Sequence, residues 1–273
     1  MAEDGADATT ELDMTVGYDH HTILQGPWGL PPAPTDSRTP GMRPDTKQGF
    51  HFGTNFLFAP APTSDPASLL QFQQRLAETS NTLVFDQAQR TPTGVALARQ
   101  ALPLQITVGL VGPGLGQLLM AAPQPNRPLV SFIEEAEMIV QAYRRVWPAP
   151  VQIVRRDCTL RYLYAVREGH AMQFLWERRL HQTEAGLHPL GRPVLGGGLR
   201  LVMPARPDAP ADPGIEVKIE SLLADARQLF LETQFVWEMA PATGGDMDPR
   251  PLIEAVDAYN DGPLTDFVTA GAW

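Results

Sequence analysis

A single cysteine, Cys158, is all the sulfhydryl chemistry this 273-residue chain has. One thiol excludes a disulfide framework and any thiolate metal cage within one chain, and a reducing cytoplasm is the compartment that fits it. Long apolar runs are also missing: no stretch approaches the ~20 residues that a membrane-spanning helix needs. The opening MAEDGADATTELD is acidic and carries no apolar core, so no leader peptide and no membrane are expected. Basic residues are outnumbered, 21 Lys and Arg against 31 Asp and Glu for a net charge of −10, which argues against a surface that binds nucleic acid indiscriminately. With 43% hydrophobic residues the chain buries a real core over most of its length.

The 27 prolines and 23 glycines gather in connections and at the start. Residues 1–48 read as a Pro-rich, largely irregular arm. Its composition, including GPWGLPPAP at 26–34, buries too little apolar surface to offset the entropy of ordering. Trp28 and Leu30 are the anchors it offers to a groove. The body, 49–273, has sub-units at 49–167 and 168–273 as a reading of its organisation.

Within the body, Ser131–Val166 is the most legible stretch. Ser131 and Glu134 have capping-box spacing, and Phe132, Ala136, Ile139, Val140 and Tyr143 recur at helical period. Pro148 and Pro150 end the helix. Cys158, Leu160, Tyr162, Tyr164 and Val166 then alternate with Asp157, Thr159, Arg161 and Leu163, which predicts a strand with the first set buried. Asp65-Pro66 starts an earlier helix running to about Thr79. Strands are expected at 50–58, 83–85, 94–98, 104–111, 117–121, 199–203, 215–221 and 228–239. Asp248-Pro249 caps a last helix that Asn260-Asp261-Gly262-Pro263 stops. Residues 170–182 have helical spacing, with a strand at 173–178 as the competing reading. The order strand, helix, strands occurs at 50–98 and again at 104–166, as two successive β-α-β-β-like units. Antiparallel hairpins between long helices imply an α+β fold with packed helices on the sheet.

The helix SFIEEAEMIVQAYRRVWP, the strand segment Arg155–Leu163 and the terminal helix LIEAVDAYNDGPLTDFV together resemble a sporadically distributed family of uncharacterised bacterial proteins of about this length. The likeness spans residues 50–270, and departs at Leu163-Tyr164, where the family pattern has an aliphatic residue and Asn. It implies an α+β fold and a non-secreted bacterial protein. No activity and no functional residues come with it.

Local chemistry mostly has a plainer explanation. Gly112-Pro113-Gly114-Leu115-Gly116 has the wrong spacing for a dinucleotide loop, and Pro113 removes an amide, so it reads as a hairpin turn. Gly196–Gly198 lacks a following Lys-Ser/Thr and reads as a loop. His20, His21, His51, His170, His181 and His188 form no metal spacing, and neither metal nor cofactor is expected. Cys158 on the inner strand face is a small hydrophobe rather than a nucleophile. Asp248 caps a helix; with Asp246 it makes no calcium loop.

Arginine is what stands out. Between Tyr143 and Gln182 there are eight Arg against three acids, a local +5 that leaves −15 for the rest. Arg144, Arg145, Arg155, Arg161, Arg178 and Arg179, interleaved with aromatic residues, are the candidate binding residues, together with Trp28 and Leu30 of the arm. The expected function is a non-catalytic binding or assembly protein. It would hold a protein partner, or a further copy of itself, through the arm and the Arg/aromatic surface. A nucleic-acid- or nucleotide-binding accessory protein is the alternative, and it requires these Arg side chains to converge on one positive strip. An enzyme would need distant His, Asp, Glu and Arg to converge in a pocket, and the leaning is against one.

Overall fold

A computed structural model describes residues 41–167, 169–209, 211–238 and 246–269. Trp28 and Leu30 therefore lie outside the described residues, as do His20 and His21. Nine strands form one antiparallel sheet: β1 (Gln48–Ala59), β2 (Gln87–Thr91), β3 (Gly94–Arg99), β4 (Leu104–Gly112), β5 (Leu115–Pro123), β6 (Gln152–Ala165), β7 (Gly198–Met203), β8 (Gly214–Ser221) and β9 (Gln228–Glu238). Their spatial order is β2-β3-β4-β5-β1-β6-β9-β8-β7. The two longest, β1 and β6, pair at the centre, with a meander on either side. The fold is α+β, as expected.

The helices are α1 (Pro66–Thr79), α2 (Leu129–Val146), α3 (Ala171–Gln173), α4 (Arg250–Tyr259) and α5 (Thr265–Thr269). One face of the sheet supplies the core. Phe52, Phe56 and Phe58 of β1 alternate inward, as do Cys158, Leu160, Tyr162 and Tyr164 of β6. They meet Phe132 and Tyr143 of α2, with Phe52–Phe132 and Phe58–Tyr143 ring centroids 5.9 and 5.5 Å apart. Trp147, just past α2, packs on Phe72 of α1 at 5.5 Å and donates its indole N–H to the Thr63 carbonyl at 3.1 Å. On the other half, Phe235 and Tyr259 of α4 meet edge-on at 5.3 Å. Burial of each such side chain stabilises by roughly 1.5–3 kcal/mol, and most of the buried apolar residues form one continuous cluster.

Several local expectations hold and four are corrected. The Asp65 carboxylate accepts from the amides of Ala67 and Ser68, which opens α1 as the sequence predicts. Asp248 accepts from the Arg250 amide at 3.1 Å. The turn between β4 and β5 is formed by Pro113 and Gly114, whose φ of +72° is the left-handed geometry glycine adopts freely. Residues 171–179 are helical. Ser131, however, does not cap α2: the helix begins at Leu129 behind Pro128, with no side-chain cap, and the Ser131 amide reaches the Pro128 carbonyl instead. A proline at that point has φ suited to the helix entry, so two more residues join. The strand expected at 83–85 lies at 87–91; Asn81–Leu83 is a 3₁₀ turn held by Ser80, and buried Leu83 plugs the core from it. Asn260–Pro263 does not stop the last helix. The chain widens into a π turn, Asn260–Leu264, and continues as α5. The wider turn leaves Pro263 no i−4 carbonyl to clash with. Leu163, expected near solvent, is buried, because Phe50 and Phe230 close over the other sheet face beside it, 5.9 Å apart and edge-on.

Candidate functional site

The pleat of β6 sends Arg155, Asp157, Thr159 and Arg161 to the sheet face opposite α2 and α4. Their cross-strand neighbours make two polar ladders. In the first, Gln117 donates to the Asn55 side-chain oxygen at 3.0 Å and Asn55 donates to Asp157 at 3.0 Å. Arg155 lies 3.5 Å from Asp157 and 3.7 Å from Glu238. In the second, Arg161 and Lys218 both donate to Glu232, Lys218 lies 3.6 Å from Glu216, and Arg200 grips Glu216 with two bonds of 2.9 Å.

Titration follows from these neighbours. Burial alone pushes Glu232 up, but the Lys218 hydrogen bond and the Arg161 charge outweigh it and hold the carboxyl below its ordinary value. Asp157 is raised by burial, which the Asn55 bond and Arg155 only partly offset. His51, next to Arg161 across the strands, is lowered to about 4 by burial and then by that guanidinium. The ladders set four cations, Arg155, Arg161, Arg200 and Lys218, against four carboxylates, Asp157, Glu216, Glu232 and Glu238. The two ladders form an electroneutral lattice rather than a positive strip.

The other predicted arginines lie elsewhere. Arg144 and Arg145 are exposed in the last turn of α2, where Arg144 pairs with Asp246 at the rim of a recess of about 290 Å³ lined by Tyr143, Trp147, Pro148, Pro150 and Met247. Arg178 and Arg179 sit in a second π turn, Phe174–Arg179, that continues α3. Arg178 is exposed, and the Arg179 guanidinium stacks 3.9 Å over the Phe267 ring of α5. The six arginines thus occupy three separate places.

A further cluster escaped the sequence reading. Residues 41–47, assigned to the arm, are docked on the body. The amides of Arg43 and Arg167 donate to the carbonyls of Ala165 and Gly41, at 2.9 and 3.2 Å. Met42 bridges Val166 and joins the core. Lys47 then reaches 210 residues along the chain to Asp257 at 2.7 Å, and also binds Asp261 at 2.5 Å. Its ammonium stands 4.2 Å over the Tyr162 ring, while the Tyr162 hydroxyl donates to Asp257 at 2.6 Å. Burial first, and then the Asp257 hydrogen bond, pushes the Tyr162 phenol far up. Tyr164 is raised too, by burial and then Asp261. Neither phenol releases a proton near neutrality, so the cluster works as a clamp. The Cys158 thiol is likewise driven well up by complete burial, which removes the thiolate that nucleophilic chemistry needs. Asp257 and Asp261 at i,i+4 on one helix face were the available sequence signal; nothing local ties them to Lys47.

Among the described residues no group of three His, Cys, Asp or Glu is placed to hold a metal ion, and no helix is long and apolar enough to cross a membrane. Compared with protein-family models and with curated proteins, the chain matches none of either.

Proposed function

We propose that this chain is a non-catalytic binding or assembly protein that holds a protein partner, or further copies of itself, through residues 1–40. The single observation behind the reading is the clamp at the root of that segment. Residues 41–47 are fixed by backbone bonds to the end of β6 and by the Lys47–Asp257–Asp261 pairs, so whatever the first forty residues engage is tethered to the body at a defined point. A fixed root keeps the segment tethered to the body, so a partner that touches both makes its second contact at a raised effective concentration, and Trp28 and Leu30 are the segment's apolar anchors. Exposed Arg178, in the same part of the fold as Phe174, which lies beside Gly41, adds a polar neighbour.

Nucleic acid is the weaker reading, since the arginines it needs are dispersed and those of the open face are paired. Catalysis is weaker still, because the buried phenols and thiol are held protonated. We read the chain as cytoplasmic and bacterial, in line with the family its α2, β6 and terminal-helix segments resemble, and residues 50–98 and 104–166 as variants of one β-α-β-β-like unit.

The test compares the intact chain with its Trp28→Ala, Leu30→Ala double variant by light scattering after size exclusion and by affinity capture from a bacterial lysate. A stoichiometric partner or oligomer that the double variant loses is the expected result. An unchanged monomer that instead shifts with oligonucleotide, and releases it as salt rises, would overturn the reading.

A further inference from the structure

Beneath the β3–β4 end of the sheet lies a charged group that none of the above uses. Glu135, in the second turn of α2, is flanked by two arginines. Arg99, the last residue of β3, donates through Nη2 to Glu135 Oε1 at 2.9 Å and through Nε to the Leu102 carbonyl at 2.8 Å. Arg127, in the loop before α2, places Nη1 2.6 Å from Glu135 Oε2. All three side chains are nearly out of solvent, at 8, 6 and 7% exposure for Arg99, Glu135 and Arg127.

Neither the charge nor the hydrogen bonding closes. A guanidinium stays protonated at any pH a protein tolerates, so two arginines and one carboxylate leave one positive charge buried. Three guanidinium nitrogens in this cluster have no acceptor, Arg99 Nη1, Arg127 Nε and Arg127 Nη2, while Glu135 Oε2 stands in the ion pair with Arg127 Nη1 without a hydrogen bond of its own. A buried donor without an acceptor is costly, and a buried net charge more so. Water would serve the donors and leave the charge. Asp86, held by the Gln100 amide next to Arg99, is exposed and pairs with neither guanidinium. The loop that presents Arg127 passes through Gln124 and Asn126, both at positive φ, 44° and 46°. Asparagine adopts that conformation readily, but glutamine holds it only where the surroundings fix it, so the Gln124 turn marks a constrained approach to Arg127.

We propose that the Arg99–Glu135–Arg127 cluster is a binding site for a small free oxyanion carrying one negative charge, of the size of formate or dihydrogen phosphate. Such an ion neutralises the cluster and offers two or more acceptor oxygens to donors spread over two forks, the arrangement in which arginine binds carboxylate and phosphate best. The three side chains are nearly out of solvent, which limits the occupant to a small free ion rather than the headgroup of a larger molecule.

The experiment measures thermal unfolding of the intact chain in rising inorganic phosphate, and separately formate, at pH 6, with chloride making up a constant ionic strength. The expected result is a melting temperature that climbs with either oxyanion along a one-site linkage curve, with one ion bound per chain by equilibrium dialysis. Arg127→Met removes the excess charge and two of the three donors, and abolishes the climb. Glu135→Gln raises the excess to two charges and steepens it. Should Arg127→Met not fold, Arg127→Lys keeps the charge but loses the fork, and weakens the apparent affinity about tenfold or more. A wild-type melting temperature that does not respond to oxyanion at constant ionic strength overturns the proposal. So does a climb that Arg127→Met, or affinity that Arg127→Lys, leaves unchanged.

Discussion

At the residue scale, charge placement controls what a substitution costs. Glu135 is the counter-charge of two buried guanidiniums. Glu135→Gln keeps the shape and strips that charge, leaving both arginines uncompensated, and such a break in a buried ion group costs about 3–5 kcal/mol. Urea unfolding of the variant in chloride buffer is expected to show a loss of that order. Replacing the whole group, with Arg99→Met, Glu135→Leu and Arg127→Met together, removes the desolvation burden along with the attraction and is expected to restore most of it. A triple variant weaker than Glu135→Gln alone would contradict this account.

His51 gives the molecule a pH dependence with a definite sign. Its imidazole falls to about 4 in the fold, through burial and then Arg161, against 6.5 in the unfolded chain. Between those values the unfolded state binds the proton and the folded state does not, so stability rises with pH across the window. The contribution is fully present above about 6.5 and lost as pH falls toward 4. It amounts to at most about 3 kcal/mol at 1.36 kcal/mol per pH unit of separation. Denaturant midpoints at pH 7.5 and 4.5 are expected to diverge for the wild type and to draw together in His51→Gln. An imidazole NMR titration with its midpoint near 6.5 in the folded protein would contradict the burial argument.

At the element scale, the two helix starts separate a cap that the sequence shows from one it only suggests. Asp65 accepts two amides, so Asp65→Ala is expected to cost about 1 kcal/mol. Ser131 caps nothing, so Ser131→Ala is expected to stay within about 0.5 kcal/mol, a surface-like change. Chemical denaturation of the pair distinguishes them. The Ser131 error is instructive, since Ser-x-x-Glu spacing is a local signal, and where Pro128 sets the entry angle upstream that signal is spent on nothing. The strand at 87–91 was illegible for a related reason. All five of its residues, Gln-Ala-Gln-Arg-Thr, are exposed, and an edge strand that buries no side chain has no hydrophobic period to read. The apolar Leu83 nearby drew the strand to itself while belonging to a turn. In contrast β6, alternating Cys158, Leu160, Tyr162 and Tyr164 against a helix, could be read almost residue by residue, because one face was dry and the other polar. The π turn at 260–264 conceals itself behind Gly262-Pro263, since only buried Asn260, accepting from Thr233 at 2.6 Å, shows why the helix persists.

At the scale of the whole molecule, what the sequence could not disclose is distance along the chain. Lys47 meets Asp257, Arg99 and Arg127 converge on Glu135, and Arg155 and Arg161 find partners on β9. Each partner is an unremarkable surface residue until the sheet brings it across. Composition exposed the Arg-rich stretch but not its neutralisation, since acids from β8 and β9 are numbered far downstream. The same long-range closure predicts how the molecule unfolds. β1 and β6 pair at the centre of the sheet, and the core on their inner face runs without a break from Phe72 and Trp147 under α1 to Phe235 and Trp237 beside α4. Lys47 and Met42 fasten the start of the described chain to both α4 and the end of β6. Sub-units at 49–167 and 168–273, were they to melt separately, would have to unzip β6 from β9 and strip α4, with its Tyr162–Asp257 bond, from the inner face of β6, so one cooperative transition is favoured. Urea unfolding followed by far-ultraviolet circular dichroism and by tryptophan fluorescence is expected to give coincident midpoints, and the Trp147→Phe variant, whose remaining body tryptophans, Trp176, Trp237 and Trp273, all fall in 168–273, is expected to keep that midpoint. Midpoints separated by more than about 0.5 M urea, equivalent to roughly 1 kcal/mol at the usual slope of 1–3 kcal/mol per molar, would mean that the halves part before the molecule does.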